Sequence, residues 1–173
     1  MSGLLRNLLT LVLAWLRPGQ ADPWARRVCH FHISPLDCGT RVLKSDKYLQ
    51  LAEAAQLDFL VGANLFGKLL RERIGFVNAS QLVKFARPIG MFSRVRVETA
   101  IIFADDKCAY FSHALFVADQ PCGEVLVKMK FKRGPVTVRP RDLLGDSVRL
   151  KPVQLQAWDS TLSAMSPTSR EPA

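Results

Sequence analysis

Hydrophobic positions dominate residues 4–16, where Leu4, Leu5, Leu8, Leu9, Leu11, Val12, Leu13, Trp15 and Leu16 are interrupted only by Arg6, Asn7, Thr10 and Ala14. The run is too short to cross a bilayer, which takes about 20 residues. On a helical projection Arg6, Asn7, Thr10, Ala14 and Arg17 share one narrow side and the large apolar residues occupy the rest. That pattern predicts either a helix lying in a membrane interface or a helix packed on the domain's surface. Pro18-Gly19 ends it, so residues 1–20 form the first unit. A secretory signal peptide is the rival, with Gly19-Gln20-Ala21 as its cleavage site. Against it stand the single basic residue ahead of the run and Arg17 directly behind it.

Further along, Val28–Ile33 alternates enough to predict a short strand, closed by Ser34-Pro35. Ser45 stands where a helix N-cap belongs, and Asp46 suits the positive end of the helix predicted over 46–61. This helix is apolar around most of its circumference, with Asp46, Gln50 and Glu53 as its polar stripe. Ala52, Ala54 and Ala55 allow another surface to approach its backbone closely. A shorter helical piece follows over Leu65–Leu70. Beyond Gly75 the period changes, and four β-rich runs appear over 76–87, 92–104, 107–117 and 123–132. Pro88-Ile89-Gly90, Asp105-Asp106 and Asp119-Gln120-Pro121 separate them at the spacing of antiparallel neighbours. A brief extended stretch over 136–138 and a helical turn over 141–144 come next. The Ser-, Thr- and Pro-rich end from about Ser160 predicts a disordered tail over 160–173.

Composition narrows the reading. Of 173 residues 49% are hydrophobic and 23% charged, which suits one globular domain, here spanning 28–150. A net charge of +9 and a pI near 9.8 attract anions, whether lipid head groups, phosphorylated cofactors or acidic carrier proteins. Nucleic acid is not the expected partner, because no RNA-binding or zinc-finger pattern is present. Cys29, Cys38, Cys108 and Cys122 show neither metal-site nor disulfide spacing, which predicts reduced thiols, no bound metal and a cytoplasmic setting, with membrane association through 4–16.

The stretch Phe31-His32-Ile33-Ser34-Pro35-Leu36-Asp37, followed by Tyr48-Leu49-Gln50-Leu51-Ala52-Glu53-Ala54, resembles the opening pattern of the 4-hydroxybenzoyl-CoA thioesterase-like family. The likeness continues through Phe76-Val77-Asn78-Ala79 and Phe85-Ala86-Arg87-Pro88 to Lys132-Arg133-Gly134. It implies an α+β hot-dog fold, an antiparallel sheet of about five strands curled around a long central helix. It also implies a thioesterase of acyl-CoA or acyl-carrier protein acting on a fatty or aromatic acyl group, in a homodimer or larger homo-oligomer that binds the acyl chain at the subunit boundary. Coenzyme A enters as part of the substrate, and no separate cofactor is implied. Most members carry an Asp-x-Asp element and then His-x-Asn-Asn just before the Tyr, whereas the matching loop here runs from Asp37 to Ser45, with Gly39 or Cys38 in place of the second Asp and no His. A non-catalytic hot-dog module that binds acyl groups or protein partners is therefore the alternative.

Thioester hydrolysis needs a carboxylate to activate water or attack the carbonyl, and donors for the resulting oxyanion. Asp37 is the first candidate carboxylate and Glu53 the second, with the amides at the start of the 46–61 helix as donors. Ser45, Asp46, Tyr48 and Gln50 are candidates for contacting substrate. In the last strand Lys128, Lys130 and Lys132 alternate with Val127, Met129 and Phe131, which places three ammonium groups on one face. Together with Arg94 and Arg96 they are candidates for holding coenzyme A phosphates or a carrier protein. Phe59, Phe66, Phe76, Phe85 and Phe92 suit a core or an acyl pocket, and His30, His32 and His113 read as structural histidines.

Overall fold

The computed structural model describes residues 3–17, 19, 22–145 and 150–165. In chain order these form helix α1 (Gly3–Trp15), strand β1 (Arg27–His32), a 3-10 turn (Pro35–Asp37), α2 (Ser45–Gly62) and α3 (Leu65–Arg71). Strands β2 (Gly75–Phe85), β3 (Arg94–Ala104), β4 (Ala109–Val117), β5 (Gln120–Arg133) and β6 (Val136–Val138) follow, then α4 (Pro140–Leu144) and α5 (Val153–Ala164).

The strands form one antiparallel sheet in the order β1-β3-β4-β5-β2, with β6 added to the end of β5. Their period-2 patterns set which face is buried. Val95, Val97 and Ile101 of β3, Phe111 and Leu115 of β4, and Val125, Val127, Met129 and Phe131 of β5 all turn to one core. Helix α2 fills that concave side with Leu51, Ala52, Ala55 and Phe59, and Phe59 meets Phe111 edge-on at 5.5 Å. Each fully buried Val, Leu, Ile, Met or Phe among them stabilises the fold by about 1.5–3 kcal/mol. The hot-dog expectation is thus met: a curved antiparallel sheet around a long, alanine-lined helix.

Two details correct the expectation. The four runs after Gly75 are not a simple meander, because β2 lies beside β5 at the far edge. Pro88-Ile89-Gly90 is therefore part of a crossover from β2 to β3, held where Leu43 N donates to Ile89 O (2.8 Å), with Ile89 buried. True hairpins join β3 to β4 and β4 to β5. At the second, Ala118 and Asp119 take positive φ values of 45° and 61°, as a tight two-residue turn requires. Among the described residues the sheet has six strands, the sixth being the extended stretch expected over 136–138. Finally, residues 160–164 belong to α5, not to a disordered tail. Leu155, Trp158 and Leu162 recur at helical spacing and pack on Cys108, Tyr110 and Leu126 of the sheet's convex face. The remaining tail residues 166–173 lie outside the described residues.

Helix α1 rests on α2, on the side away from the sheet, with its amphipathicity inverted. Arg6, Thr10 and Ala14 are buried, while Leu5, Leu8, Leu9, Val12, Leu13, Trp15 and Leu16 are exposed. It is thus surface-packed by its narrow polar side. Among the described residues no helix is long and apolar enough to cross a membrane.

Candidate active site

The site begins at the end of β1, where the 3-10 turn aims the Asp37 carboxylate inward. Ser34 donates to Asp37 Oδ2 from both its amide (3.1 Å) and its hydroxyl (2.7 Å). The other oxygen, Oδ1, accepts from Arg6 Nη2 of α1 at 2.5 Å, and both partners are almost fully buried, at 0% and 3% exposure. Burial by itself would raise the Asp37 pKa. The hydrogen bonds from Ser34 and Arg6, with the Arg6 charge, outweigh it and bring the carboxyl down to about 2.

The following loop doubles back on itself. Gly39 N donates to Val42 O (2.9 Å), Cys38 and Leu43 bridge, and Lys44 N donates to the carbonyl of Asp37 (3.1 Å). Helix α2 therefore starts directly beside Asp37. Lys44, not Ser45, is its N-cap residue, because Lys44 keeps an extended backbone while tied to Asp37 O. Ser45 is the first helical residue, and no side chain caps the amides of this end.

The other candidates on α2 divide by face. Asp46 and Gln50 are bound to each other (Gln50 Nε2 to Asp46 Oδ2, 3.3 Å), and Lys47 Nζ donates to Gln50 Oε1 (3.0 Å). Glu53 is exposed and accepts from Asn7 Nδ2 of α1 at 3.3 Å. Tyr48 is buried, its hydroxyl donating to Arg87 O (3.4 Å) and its ring edge-on to Phe85 at 4.9 Å. Burial pushes its phenol pKa up, with proximity to Cys122 adding to the effect. Thus Asp37, the start of α2 and Tyr48 share one end of the helix, and Glu53 lies further along the face that α1 covers.

The basic candidates lie elsewhere. Lys128 pairs with Asp159 of α5 at 2.8 Å, on the convex face, so the sheet stands between it and α2. Lys130 projects from the same side, and Lys132 Nζ donates to Pro135 O and Thr137 Oγ1, both at 3.0 Å. The three ammonium groups are therefore not an open row. Arg96 is held between Glu98 and Asp119 and lies over the Phe116 ring at 4.6 Å. Arg94 and Arg96 line a cleft with His30, Val117 and Asp119.

His30 and His32, read from the sequence as structural histidines, are exposed and add to this basic corner. Burial, then Arg94, Arg17, Arg96 and His32, pull the His30 pKa down. His113 is the buried structural histidine, with Nδ1 3.0 Å from Thr99 Oγ1. Phe59 is core, Phe66 and Phe76 pack on its margin, and Phe85 and Phe92 are exposed. All four cysteines are free and buried, and among the described residues no three His, Cys, Asp or Glu side chains gather to hold a metal.

Sequence reasoning missed Arg6 as the partner of Asp37. The signal was available: Arg6 is the one charged residue inside the apolar run of 4–16.

Comparison with known proteins adds the following. No curated protein matches the sequence. Among solved structures, 4-hydroxybenzoyl-CoA thioesterase from Pseudomonas sp. strain CBS-3 superposes with a TM-score of 0.62 at 16% identity, over 69% of this chain and 96% of that one. A gentisyl-coenzyme A thioesterase gives 0.60 at 18%, over 65% and 94%. A 1,4-dihydroxy-2-naphthoyl-CoA (DHNA-CoA) thioesterase from Staphylococcus aureus gives 0.60 at 12%, over 80% and 91%. At these identities the likeness establishes the hot-dog fold. The profile of the thioesterase-like superfamily matches residues 35–141, more than half of the chain and the whole stretch from the Asp37 turn to α4, and the protein belongs to that superfamily.

Proposed function

We propose that this protein hydrolyses a fatty or aromatic acyl thioester of coenzyme A or of an acyl-carrier protein, with Asp37 as its reacting carboxylate. The observation that carries this reading is that Asp37, whose carboxyl stays ionised, is the residue whose main-chain carbonyl accepts from Lys44 N at the uncapped start of α2. The superposed thioesterases act on aromatic acyl-CoAs, which supports this substrate class. The amides of the first turn of α2 supply donors for the oxyanion, reinforced by the helix dipole.

Two routes balance. In one, Asp37 takes a proton from water as its oxygen adds to the carbonyl, the C–S bond breaks, and the thiolate leaves with that proton. In the other, Asp37 attacks directly, the thiolate leaves and takes a proton from water, and hydroxide then cleaves the mixed anhydride. Either route requires Arg6 to withdraw from Oδ1, so α1 must move for substrate to reach the carboxylate. Ser45, Asp46, Tyr48 and Gln50 then border the acyl carbonyl, Glu53 is the reserve carboxylate, and the basic corner of Arg94 and Arg96 is the nearest match to an anion site. Two copies joined through the open edge of β2 would complete the acyl site.

The complete burial of Asp37 and the engagement of both its oxygens favour a second reading, a non-catalytic acyl-binding module in which Asp37 only latches α1. Acyl-CoAs of graded chain length and benzoyl-type acyl-CoAs, with free thiol as the readout, separate the two. Hydrolysis by the wild type that falls at least a hundredfold in Asp37→Asn supports the enzyme. Binding of acyl-CoA without thiol release, in the wild type and in Arg6→Met alike, supports the module.

A further inference from the structure

We infer that the outward face of α1, with the adjoining edge of α3, docks the protein flat on an anionic phospholipid surface. This goes beyond the proposed hydrolysis and does not depend on it. A helix that only covered a domain would turn its hydrocarbon inward. Here polar contacts fix the reverse orientation at three points: Arg6 on Asp37, Asn7 on Glu53, and Arg17 on Asp58 at 3.6 Å. Asp58 is itself buried and paired with Arg27 at 2.6 Å. The hydrocarbon left outside is continuous. Leu5, Leu8, Leu9, Val12 and Leu13 are each about half exposed, Trp15 is 76% and Leu16 80% exposed, and Leu70 of α3 is 64% exposed. Between the two helices Leu11, Val12, Trp15, Leu16 and Phe66 line an almost wholly apolar groove.

Charge selects the occupant. Residues 3–15 contain no acidic side chain, Arg17 stands at the end of the apolar face, and the exposed Arg71 follows Leu70 on α3. The molecule as a whole carries +9. A second copy docked on the same face would bring two such charges and two Arg17 rims together, whereas an anionic bilayer attracts them. Trp15 beside the basic rim suits the boundary between head groups and acyl chains, and a helix of this length lies in that boundary without crossing it.

The test is flotation of the full-length protein with phosphatidylcholine vesicles containing 30% phosphatidylglycerol or none, alongside Leu8→Glu/Val12→Glu and Leu16→Asn. The sites chosen are exposed, and circular dichroism confirms that each variant is folded. Expected is co-flotation with the anionic vesicles, at least tenfold weaker with neutral vesicles or in 1 M salt. The double variant should lose at least tenfold, and Leu16→Asn about threefold. Failure to float with anionic vesicles, or equal flotation of the folded variants, overturns the proposal. So does a mass by light scattering that drops in the double variant while the wild type ignores vesicles, which would assign the face to a second copy.

Discussion

Arg6 and Asp37 bury one charge of each sign between α1 and the turn after β1. Such a pair is costly to desolvate, so its removal as a pair is tolerable, whereas removing one partner strands the other. Asp37→Ala is expected to cost about 3–5 kcal/mol in urea unfolding, because it leaves the Arg6 guanidinium unpaired. Arg6→Met with Asp37→Asn should cost clearly less than the sum of the two single changes, and additivity would mean that the contact does not couple the residues. A second buried group sets the acid side of the stability curve. Burial holds the His113 pKa down at about 3, against about 6.5 in the unfolded chain. Below pH 6.5 the unfolded chain therefore binds a proton that the folded one refuses, and stability falls by up to about 1.4 kcal/mol per pH unit toward pH 3. The lowered Asp37 pKa acts later: its contribution is complete above about pH 4 and is lost as pH drops toward 2. Calorimetric Tm values at pH 7.5, 5.5 and 4.5 should show the first decline in the wild type and a flatter profile in His113→Gln. An equal slope in both would remove His113 as its cause.

At the scale of elements, α2 and β5 are locked together at one glycine. A Cβ on Gly123 would stand 2.9 Å from Lys84 O of β2 and 3.1 Å from the Tyr48 ring, both held by the sheet and the core. Gly123→Ala is expected to destabilise by about 1–3 kcal/mol, and Tyr48→Leu, which removes the blocking ring but not the carbonyl, should recover only part of it. Urea unfolding of the three variants checks this. The elements themselves were legible wherever the period of apolar positions was unambiguous: Leu51, Ala55 and Phe59 repeat as a helix, and Val125, Val127, Met129 and Phe131 as a strand. Their arrangement was legible only where neighbours in sequence are neighbours in space, as in β3-β4-β5. The pairing of β2 with β5 joins Gly75 to Lys132, and no local signal announces it. The candidate site divides the same way. Asp37 could be named from its turn and the helix behind it, but its partner lies 31 residues upstream, in a segment whose pattern said amphipathic without saying which side faces in. Lys128 was readable as one of a row of cations. That Asp159 neutralises it depends on α5, which the serines and threonines of its last turn disguised.

For the whole molecule, β2 is the feature that a single copy leaves unresolved. It is an eleven-residue strand that among the described residues pairs only with β5, with Val77, Leu82 and Phe85 each about half exposed along it. Natural sheets blunt such an edge with charge, proline or a cover, or else pair it. Lys84 is the one charged residue within β2. Antiparallel pairing of β2 with the β2 of a second copy would satisfy the open backbone groups and cover Val77 and Leu82 on one face of the joined sheet and Phe85 on the other. It would also leave the apolar face of α1 free, since that face belongs to the helices and not to this edge. Light scattering should then give twice the 19.3 kDa of one chain. Val77→Lys with Leu82→Lys should shift the protein to monomer by raising the dissociation constant at least a hundredfold, because each two-fold contact would gain four ammonium groups beside the two of Lys84. If the acyl site lies at that boundary, the same variant loses hydrolysis while still floating with anionic vesicles. A variant that stays dimeric would move the subunit contact away from β2, and one that becomes monomeric with full activity would place the acyl site wholly within one chain.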